Sequence, residues 1–347
     1  MSRPQMSRPQ MSCSHTSRAH TTGAQALLTP LVPLYAAALA TKNLAYDRGW
    51  IKPRHLAWPV VSVGNLSVGG AGKTPVVIRL AQLLAQQGQH VDVLSRGYGR
   101  SSHNIARVDP DGSAAHFGDE PLLIARSASV PVYVGADRYA AGSLGEREQP
   151  TPGIHLHGIH LLDDGFQHRR LARDLDIVIL HRSDLEQTLL PEGRLREPLS
   201  SLGRASVIVL RAEDRGLETD LRRYNPTAPI WIHHRRLVVE PIARAVAFCA
   251  IARPGEFFAA LRLSGVDIAA TSRFRDHHAY AAADLDRLLR LRDQHHAPAL
   301  ITTEKDWVRL TPAHRARLAP LSIARLDVVF ENETAVTTQL LGLLVRK

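Results

Sequence analysis

The sequence is poor in cysteine and in aromatic residues, and each shortage excludes a class of protein. Only two of the 347 residues are cysteine, Cys13 and Cys249, which excludes a disulfide framework and a cysteine-based zinc site. Aromatic residues make up 5% of the chain, and no RNA- or DNA-binding motif is present. We therefore expect a protein of a reducing compartment that does not recognise nucleic acid by base stacking.

A long apolar run is also absent. Residues 24–46 are apolar for about 15 positions, fewer than the ~20 that a membrane-spanning helix needs, and Pro30 and Pro33 interrupt them. Lys42 and several arginines follow closely. An apolar helix followed by basic residues can lie in a membrane interface and attract anionic lipid. The alternative is a helix packed on the domain core, and the local sequence does not distinguish the two.

Acidic residues are fewer than basic ones. The chain has 43 Lys and Arg against 33 Asp and Glu, which gives a formal net charge of +10. Such a surface favours polyanions, namely nucleic acid, anionic lipid or a phosphorylated substrate. Charge alone does not distinguish among these partners.

The length of the chain fits roughly two domains. Residues 1–22 are polar, contain a near-tandem repeat and are predicted to be disordered. Residues 23–236 alternate predicted strands and helices, which indicates a first α/β domain that carries the apolar helix at about 24–46. Residues 237–347 are interpreted as a second, smaller α/β domain.

The most informative stretch is residues 59–75, where a valine-rich run is followed by glycines and then Lys73-Thr74. The run predicts a buried parallel strand, and the amphipathic residues 76–87 predict a helix that ends at Gly88. A strand, a glycine-rich loop, Lys-Thr and a helix form the layout of a phosphate-binding P-loop. The alternative is an ordinary glycine-rich turn.

Phosphate binding requires these residue types. Glycines let backbone N–H groups approach phosphate oxygens, and the helix N-terminus adds partial positive charge. In this interpretation Lys73 bridges the β- and γ-phosphates of a nucleotide and the Thr74 hydroxyl binds Mg²⁺. The strict pattern has glycine at position 67, where this chain has Ser67. The predicted phosphate-binding residues are Gly69, Gly70, Ala71, Gly72, Lys73 and Thr74.

Charged residues after predicted strands are further candidates. Asp163 and Asp164 follow an apolar run, and a carboxylate at a strand end beside a P-loop holds Mg²⁺. An isolated Asp-Asp-Gly is otherwise a turn. Arg196 and Glu197 lie in a proline-bounded loop, where they suit phosphate and metal or form a surface ion pair.

Two positions suggest acid–base chemistry. Asp119 opens a predicted helix, where capping is the default role of an isolated Asp. Asp276, His277 and His278 are consecutive, and neighbouring histidines point in different directions. An orienting or catalytic histidine is therefore favoured over a metal-binding pair.

Seven short motifs are spread over most of the chain, at residues 63–75, 95–100, 118–121, 162–168, 193–198, 274–280 and 302–306. Their sequences and order resemble the tetraacyldisaccharide 4′-kinases, the lipid A 4′-kinases of Gram-negative bacteria. Ser67 belongs to this family's loop, and Ala71 occupies a position where Ser or Thr is common.

The resemblance implies an ATP- and Mg²⁺-dependent kinase that phosphorylates the 4′-hydroxyl of tetraacyldisaccharide 1-phosphate to give lipid IVA. It implies a P-loop NTPase α/β/α sandwich, joined by a hinge to a second, smaller α/β domain with the active site in the cleft. It also implies an N-terminal membrane-interface helix that seats the enzyme on the cytoplasmic face of the inner membrane. We expect a peripheral, monomeric enzyme.

The resemblance also implies roles for individual residues. Asp119 is expected to be the catalytic base and His277 its partner, with His278 as the alternative. Lys73 is expected to act in catalysis as well as in phosphate binding. Arg196 is expected to contact nucleotide phosphate. The expected magnesium ligands are Thr74, Asp163, Asp164 and Glu197.

Two other kinds of P-loop protein are the alternatives. A switch or assembly ATPase with a Lys-Gly-Gly-x-Gly-Lys-Thr signature carries lysine at the position of Val68, so the missing lysine counts against it. A basic P-loop protein that acts on nucleic acid would hydrolyse ATP faster when DNA or RNA is added.

Overall fold

The computed structural model describes residues 28–70, 72–148 and 158–345. The predicted disordered segment, residues 1–22, lies outside the described residues, and so do Ala71 and residues 24–27 of the predicted N-terminal helix. The described part of the chain alternates strands with helices, as the sequence predicts for an α/β protein.

The described residues contain twelve strands, which all belong to one sheet. In chain order they are β1 (Val60–Asn65), β2 (Val91–Ser95), β3 (Ala106–Arg107), β4 (Val132–Val134), β5 (Ile159–Asp163), β6 (Leu175–Leu180), β7 (Val207–Arg211), β8 (Ile230–Val239), β9 (Arg244–Cys249), β10 (Asp267–Arg273), β11 (Ala299–Thr303) and β12 (Leu321–Phe330). Their order across the sheet is β10-β9-β11-β12-β8-β7-β6-β1-β5-β2-β4-β3.

Helices connect most of these strands. In chain order the α-helices of the described residues are α1 (Val32–Asp47), α2 (Lys73–Gln86), α3 (Ala114–Phe117), α4 (Asp119–Ala128), α5 (Arg138–Glu148), α6 (Arg182–Leu185), α7 (Glu218–Leu221), α8 (Pro254–Leu263), α9 (Ala282–Gln294), α10 (Glu304–Arg309), α11 (Pro312–Arg317) and α12 (Glu333–Val345). Short 3-10 helices lie at Thr29–Leu31, Leu199–Arg204 and Ala212–Leu217. None of the helices in this part of the chain is long and apolar enough to cross a bilayer.

Strand β1 lies in the middle of the sheet, parallel to β5 on one side and to β6 on the other. All of its residues are buried, as a continuous apolar run predicts for a strand that is covered on both faces. Successive side chains of β6 point to opposite faces of the sheet and pack in two different cores. Ile177 and Ile179 belong to one core, and Val178 and Leu180 belong to the other. The predicted buried parallel strand and the helix after it, α2, are confirmed.

The direction of chain progression across the sheet reverses at β1. From β1, the strands β5 and β2 lie on one side, and β6 and β7 lie on the other. Open α/β sheets bind ligands at such a point, just beyond the carboxyl ends of the strands. The glycine-rich loop after β1 and the acidic residues after β5 therefore meet at one edge.

Strands β8 and β12 are neighbours inside the sheet and join the strands that precede β8 in the chain to those that follow it. They pair in antiparallel fashion, from His233 opposite Phe330 to Val239 opposite Ala324. Strand β12 and helix α12 were not predicted, because β12 mixes exposed charged residues with half-buried apolar ones. The predicted boundary between residues 236 and 237 falls within β8. The division into two domains remains a prediction.

Helix α1 is shorter than the predicted helix at residues 24–46 and begins after a 3-10 turn that contains Pro30. None of its residues is buried. The alternative that this helix packs on the domain core is not contradicted, because several of its residues are half-buried and the Tyr35 hydroxyl donates to the backbone oxygen of Arg196 at 2.8 Å. Its contact with a membrane remains a prediction.

Gly64 in β1 makes a close backbone approach that we expect to determine stability. A Cβ at this position would lie 2.6 Å from Phe166 Cβ and 2.9 Å from Phe166 N. We expect Gly64→Ala to lower the free energy of unfolding in urea by about 1–3 kcal/mol, the usual cost of overpacking. Gly342→Ala in α12 is the control, because a Cβ there meets nothing within 4 Å. Equal midpoints for the two variants would contradict this account.

Candidate active site

The segment between β1 and α2 is a glycine-rich loop in which two positions require glycine. Gly69 has a φ of 104° and Gly72 has a φ of 74°, in the left-handed region that other residues rarely adopt. A Cβ on Gly69 would also collide with Arg194 Nη2. Together with Gly70 and the start of α2, these glycines line a cavity of about 890 Å³. Ala71 lies outside the described residues.

Lys73 and Thr74 begin α2 and line the same cavity. The Nζ of Lys73 donates to Oδ1 of Asn65 at 3.0 Å and lies 3.3 Å from Oδ1 of Asp164. Asn65 ends β1, and its amide donates to the backbone oxygen of Ser67 at 2.7 Å. The turn around Ser67 therefore places Lys73 between the loop and the acidic residues.

The loop at residues 190–198 pairs with the glycine-rich loop. The backbone N–H of Arg196 donates to the oxygen of Leu66 at 2.7 Å. This pairing places the Arg196 guanidinium beside Asp164, with Nη1 2.9 Å from Oδ2. Arg196 thus lies at the cavity.

Glu197 is not brought to the same place. Its side chain is buried and accepts a hydrogen bond from Nη2 of Arg204 at 2.8 Å. It does not line the cavity that contains the other predicted metal ligands, Thr74, Asp163 and Asp164.

Asp163 and Asp164 lie at the carboxyl end of β5 and both line the cavity. Oδ2 of Asp163 accepts a hydrogen bond from the Ser95 hydroxyl at 3.1 Å. Asp164 has a φ of 53°, a left-handed conformation that is costly for a residue with a side chain. Such backbone strain is concentrated at functional sites.

The two carboxylates differ in their charge environment. Burial, followed by repulsion from Glu120 and Asp164, raises the pKa of Asp163 to about 7. Burial also acts to raise the pKa of Asp164, but Lys73 and Arg196 outweigh it and hold that pKa below its ordinary value. The pair therefore contains one well-compensated carboxylate, Asp164, and one, Asp163, for which attraction to Lys73 does not outweigh burial and repulsion.

Asp119 and His277 are far apart in the chain and meet in the structure. The Nδ1 of His277 lies 3.0 Å from Oδ2 of Asp119. Oδ1 of Asp119 accepts the N–H of Glu120 at 2.9 Å, whereas the N-cap of α4 is Gly118. His277 lines the cavity, and the buried Asp119 does not. The imidazole therefore faces the cavity with the carboxylate behind it.

His278 faces away from Asp119. Its Nε2 lies 2.9 Å from Oδ2 of Asp284, and its ring stacks on Phe274 with centroids 4.9 Å apart. Of the two consecutive histidines, His277 is the one placed beside Asp119.

Two cations of α10 complete this cluster, and neither was predicted as a site residue. The Nε of Arg309 donates to Oδ2 of Asp119 at 2.8 Å, and Lys305 Nζ donates to Oε1 of Glu120 at 2.9 Å. Burial acts to raise the pKa of Asp119, but the imidazole of His277 and these two cations outweigh it and hold that pKa well below its ordinary value. Lys305 and Arg309 are four residues apart, which places them on one face of a helix. This spacing was the sequence signal that could have identified them as a pair.

Further basic residues line the cavity. Arg138 is buried, and burial followed by repulsion from Arg96 lowers its pKa to about 10. Lys42 of α1 and the arginines Arg235 and Arg253 also line the cavity. This concentration of cations around a glycine-rich loop favours a polyanionic ligand.

A largely parallel sheet, a glycine-rich loop at a helix N-terminus and a basic cavity are typical of α/β proteins that bind phosphorylated ligands. The family model described as LpxK, tetraacyldisaccharide-1-P 4′-kinase, matches residues 24–345. The chain therefore belongs to the tetraacyldisaccharide-1-P 4′-kinase family.

Individual relatives agree with this membership. The tetraacyldisaccharide 4′-kinase of Koribacter versatilis is 45% identical over 332 residues, which are 92% of this chain and 99% of the relative. That of Geobacter metallireducens is 39% identical over 324 residues, 88% of this chain and 91% of the relative. A crystal structure of "apo" form LpxK from Aquifex aeolicus in complex with ATP is 31% identical. It matches with a TM-score of 0.74 over 92% of this chain and 99% of its own.

Asp163 should make stability depend on pH. Its pKa is about 7 in the folded chain and about 3.9 in an unfolded one, so its contribution to stability falls as pH rises between these values. Asn at position 163 does not titrate. Without divalent metal, we therefore expect Asp163→Asn to raise the unfolding free energy above that of the parent by about 3 kcal/mol more at pH 8 than at pH 5. Urea unfolding at both pH values measures this difference. Asp293→Asn, at a surface carboxylate, is the control, and a pH-independent gain for Asp163→Asn would contradict the prediction.

Proposed function

We propose that the chain transfers the γ-phosphate of ATP to the 4′-hydroxyl of tetraacyldisaccharide 1-phosphate, which gives lipid IVA in lipid A biosynthesis. The observation that carries this proposal is the convergence of three groups on one cavity: Lys73 at the glycine-rich loop, the carboxylates Asp163 and Asp164, and His277. Positioning and electrostatic stabilisation by such groups supply most of the catalysis of phosphoryl transfer. Relatives described as tetraacyldisaccharide 4′-kinases and a similar structure that contains ATP support the same reaction.

The glycine-rich loop is assigned to the ATP phosphates and acts as a P-loop. Its backbone N–H groups, including that of Ala71, and the N-terminus of α2 favour an anion. Lys73 then exchanges its contact with Asp164 for the β- and γ-phosphate oxygens. Arg196 brings a second cation from the neighbouring loop.

The oxygen atoms at this edge of the sheet fit Mg²⁺. The Thr74 hydroxyl and the carboxylates of Asp163 and Asp164 line one cavity, and Mg²⁺ in kinases is held by one or two carboxylates together with substrate phosphates. When bound, the ion neutralises charge on the β- and γ-phosphates. Glu197 is assigned a supporting role, because its buried side chain fixes the loop that carries Arg196.

The Asp119–His277 pair is assigned to removal of the hydroxyl proton. An ionised Asp119 accepts the Nδ1–H of His277, which leaves the Nε2 lone pair of the ring to take up a proton. Asp119, which the resemblance assigns as the base, then stabilises the imidazolium that forms. The two residues belong to different predicted domains, so domain closure would assemble the pair and exclude water.

Helix α1 is assigned to the cytoplasmic leaflet of the inner membrane. Apolar side chains at its start are exposed, with Leu34 of α1 at 69% and Leu31 of the preceding 3-10 turn at 48%. The same helix lines the cavity through Tyr35 and Lys42, and the Tyr35 hydroxyl donates to the backbone oxygen of Arg196 at 2.8 Å. A lipid held at α1 would therefore present its head group beside the phosphate-binding residues.

A labelling experiment tests the reaction. With Mg²⁺, γ-labelled ATP and tetraacyldisaccharide 1-phosphate in detergent micelles, we expect label in the lipid. We expect Lys73→Ala to reduce it at least about 100-fold, because a preorganised charge on the transferred group is lost. Arg262→Ala, on an exposed position of α8, is the control and should label the lipid like the parent.

Other outcomes of the same experiment point to the alternative functions. ATP hydrolysis without label in the lipid would favour a switch or assembly ATPase. Hydrolysis that rises on addition of DNA or RNA would favour a nucleic-acid protein.

Membrane contact through α1 is tested by charge insertion. Replacing Leu31 and Leu34 by Glu should weaken co-sedimentation with vesicles of phosphatidylglycerol at least about tenfold, because each leucine loses its apolar burial in the interface. Leu263→Glu is the matched control, since Leu263 is 89% exposed but belongs to α8. Unchanged sedimentation of the double variant would show that α1 does not seat the protein.

A further inference from the structure

The motif at residues 302–306 has no role in the reaction described so far. It ends β11 and begins α10, where the Thr303 hydroxyl caps the helix by accepting the N–H of Asp306 at 3.1 Å. This cap fixes the direction in which α10 leaves the sheet. Lys305 and Arg309 follow one turn apart on this helix and therefore share a face.

That face meets the acidic start of α4. Lys305 lies 2.9 Å from Glu120, and Arg309 contacts Asp119 through Nε at 2.8 Å and also through Nη2. The side chains of Arg309 and Asp119 are each 7% exposed, so their charges are screened little by water. Two side-by-side ion pairs thus join α10 to α4.

Arg309 is held in place independently of Asp119. Its Nη1 donates to the backbone oxygen of Ala250 at 2.7 Å and to Oδ1 of Asp306 at 3.1 Å. Asp306 is fully buried and is itself fixed by the Tyr280 hydroxyl at 2.9 Å and by the N–H of Ala250 at 3.0 Å. The guanidinium fork is therefore oriented before it meets the carboxylate.

We propose that Arg309, assisted by Lys305, is a positioning residue that holds the Asp119 carboxylate and directs its Oδ2 at Nδ1 of His277. For its kinetic consequence this inference rests on the proposed function. In this proposal, helix α10, which starts in the Thr-Thr-Glu-Lys-Asp motif, places the two cations against α4.

Loss of the guanidinium has two separable effects. The charged groups that face Asp119 are His277, Lys305 and Arg309, together with Glu120 of its own helix. Removing one of the cations raises the pH at which Asp119 takes up a proton, because the ionised carboxylate loses an opposite charge. Removing the fork also loosens the carboxylate, which lowers kcat without removing any contact with ATP.

The experiment compares Arg309→Met and Arg309→Lys with the parent by two measurements. The first is the titration of the Asp119 carboxyl by ¹³C NMR, assigned by its loss in Asp119→Asn. The second is kcat, with KM for ATP, for phosphorylation of tetraacyldisaccharide 1-phosphate across pH. Arg317→Met, which breaks a surface pair with Asp286, is the matched control.

For Arg309→Met we expect the Asp119 titration to move up by about 1–2 pH units. We also expect kcat to fall about 100-fold with little change in KM for ATP, the effect of a misplaced catalytic group. Arg309→Lys keeps the charge but not the fork, so its titration should stay near that of the parent while kcat falls.

An unmoved Asp119 titration in folded Arg309→Met would overturn the inference, whatever the substrate proves to be. So would a moved titration with an unchanged kcat. If the titration moves but the parent itself does not label the lipid, the proposed function fails and the assignment of Arg309 to Asp119 stands.

Discussion

Parallel pairing of β1 with β5 is the constraint on which the rest of the site depends. The register places Val63 opposite Asp163, so the glycine-rich loop and the acidic pair leave the sheet from adjacent strand ends. A slip of one residue would turn the Asp163 side chain to the other face of the sheet. The left-handed backbone at Asp164 turns the chain immediately after β5, and both carboxylates consequently line the same cavity.

The carboxylates in and beside the cavity differ in how many cations contact them, and this difference indicates where a metal ion would fit. Asp119 and Glu120 each contact a cation of α10, and Asp164 contacts Lys73 and Arg196. Asp163 has the Ser95 hydroxyl as its hydrogen-bond donor and keeps a raised pKa. A buried carboxylate whose charge is only partly compensated lowers stability, and such groups are found at functional sites. The oxygen-rich end of the cavity is therefore the part best suited to an added divalent cation.

Sequence patterns could predict the parts of the structure that local physics determines. Strand β1 forms where the valine-rich run predicts it, because an apolar run buried on both faces needs no distant partner to be recognised. The contact of Asp119 with His277 has no local signal, since 158 residues separate them, and it was expected only from the resemblance. Arg309 lies outside every quoted motif, and its role depends on where α10 meets α4. Strand β12 is stabilised by pairing with β8, which no periodicity within either strand reveals.

The pairing of β8 with β12 joins the two parts of the chain that contribute residues to the site. Asp119 and Glu120 belong to the part of the chain that precedes β8. His277 and the two cations of α10 belong to the part that follows β8. The ladder ties these parts through backbone pairing, and the ion pairs of α10 join them at the cavity. His277 and Arg309 contact the same oxygen of Asp119, so one carboxylate orients both the imidazole and the guanidinium. In the proposed reaction, closure of the cleft would therefore also prepare the base.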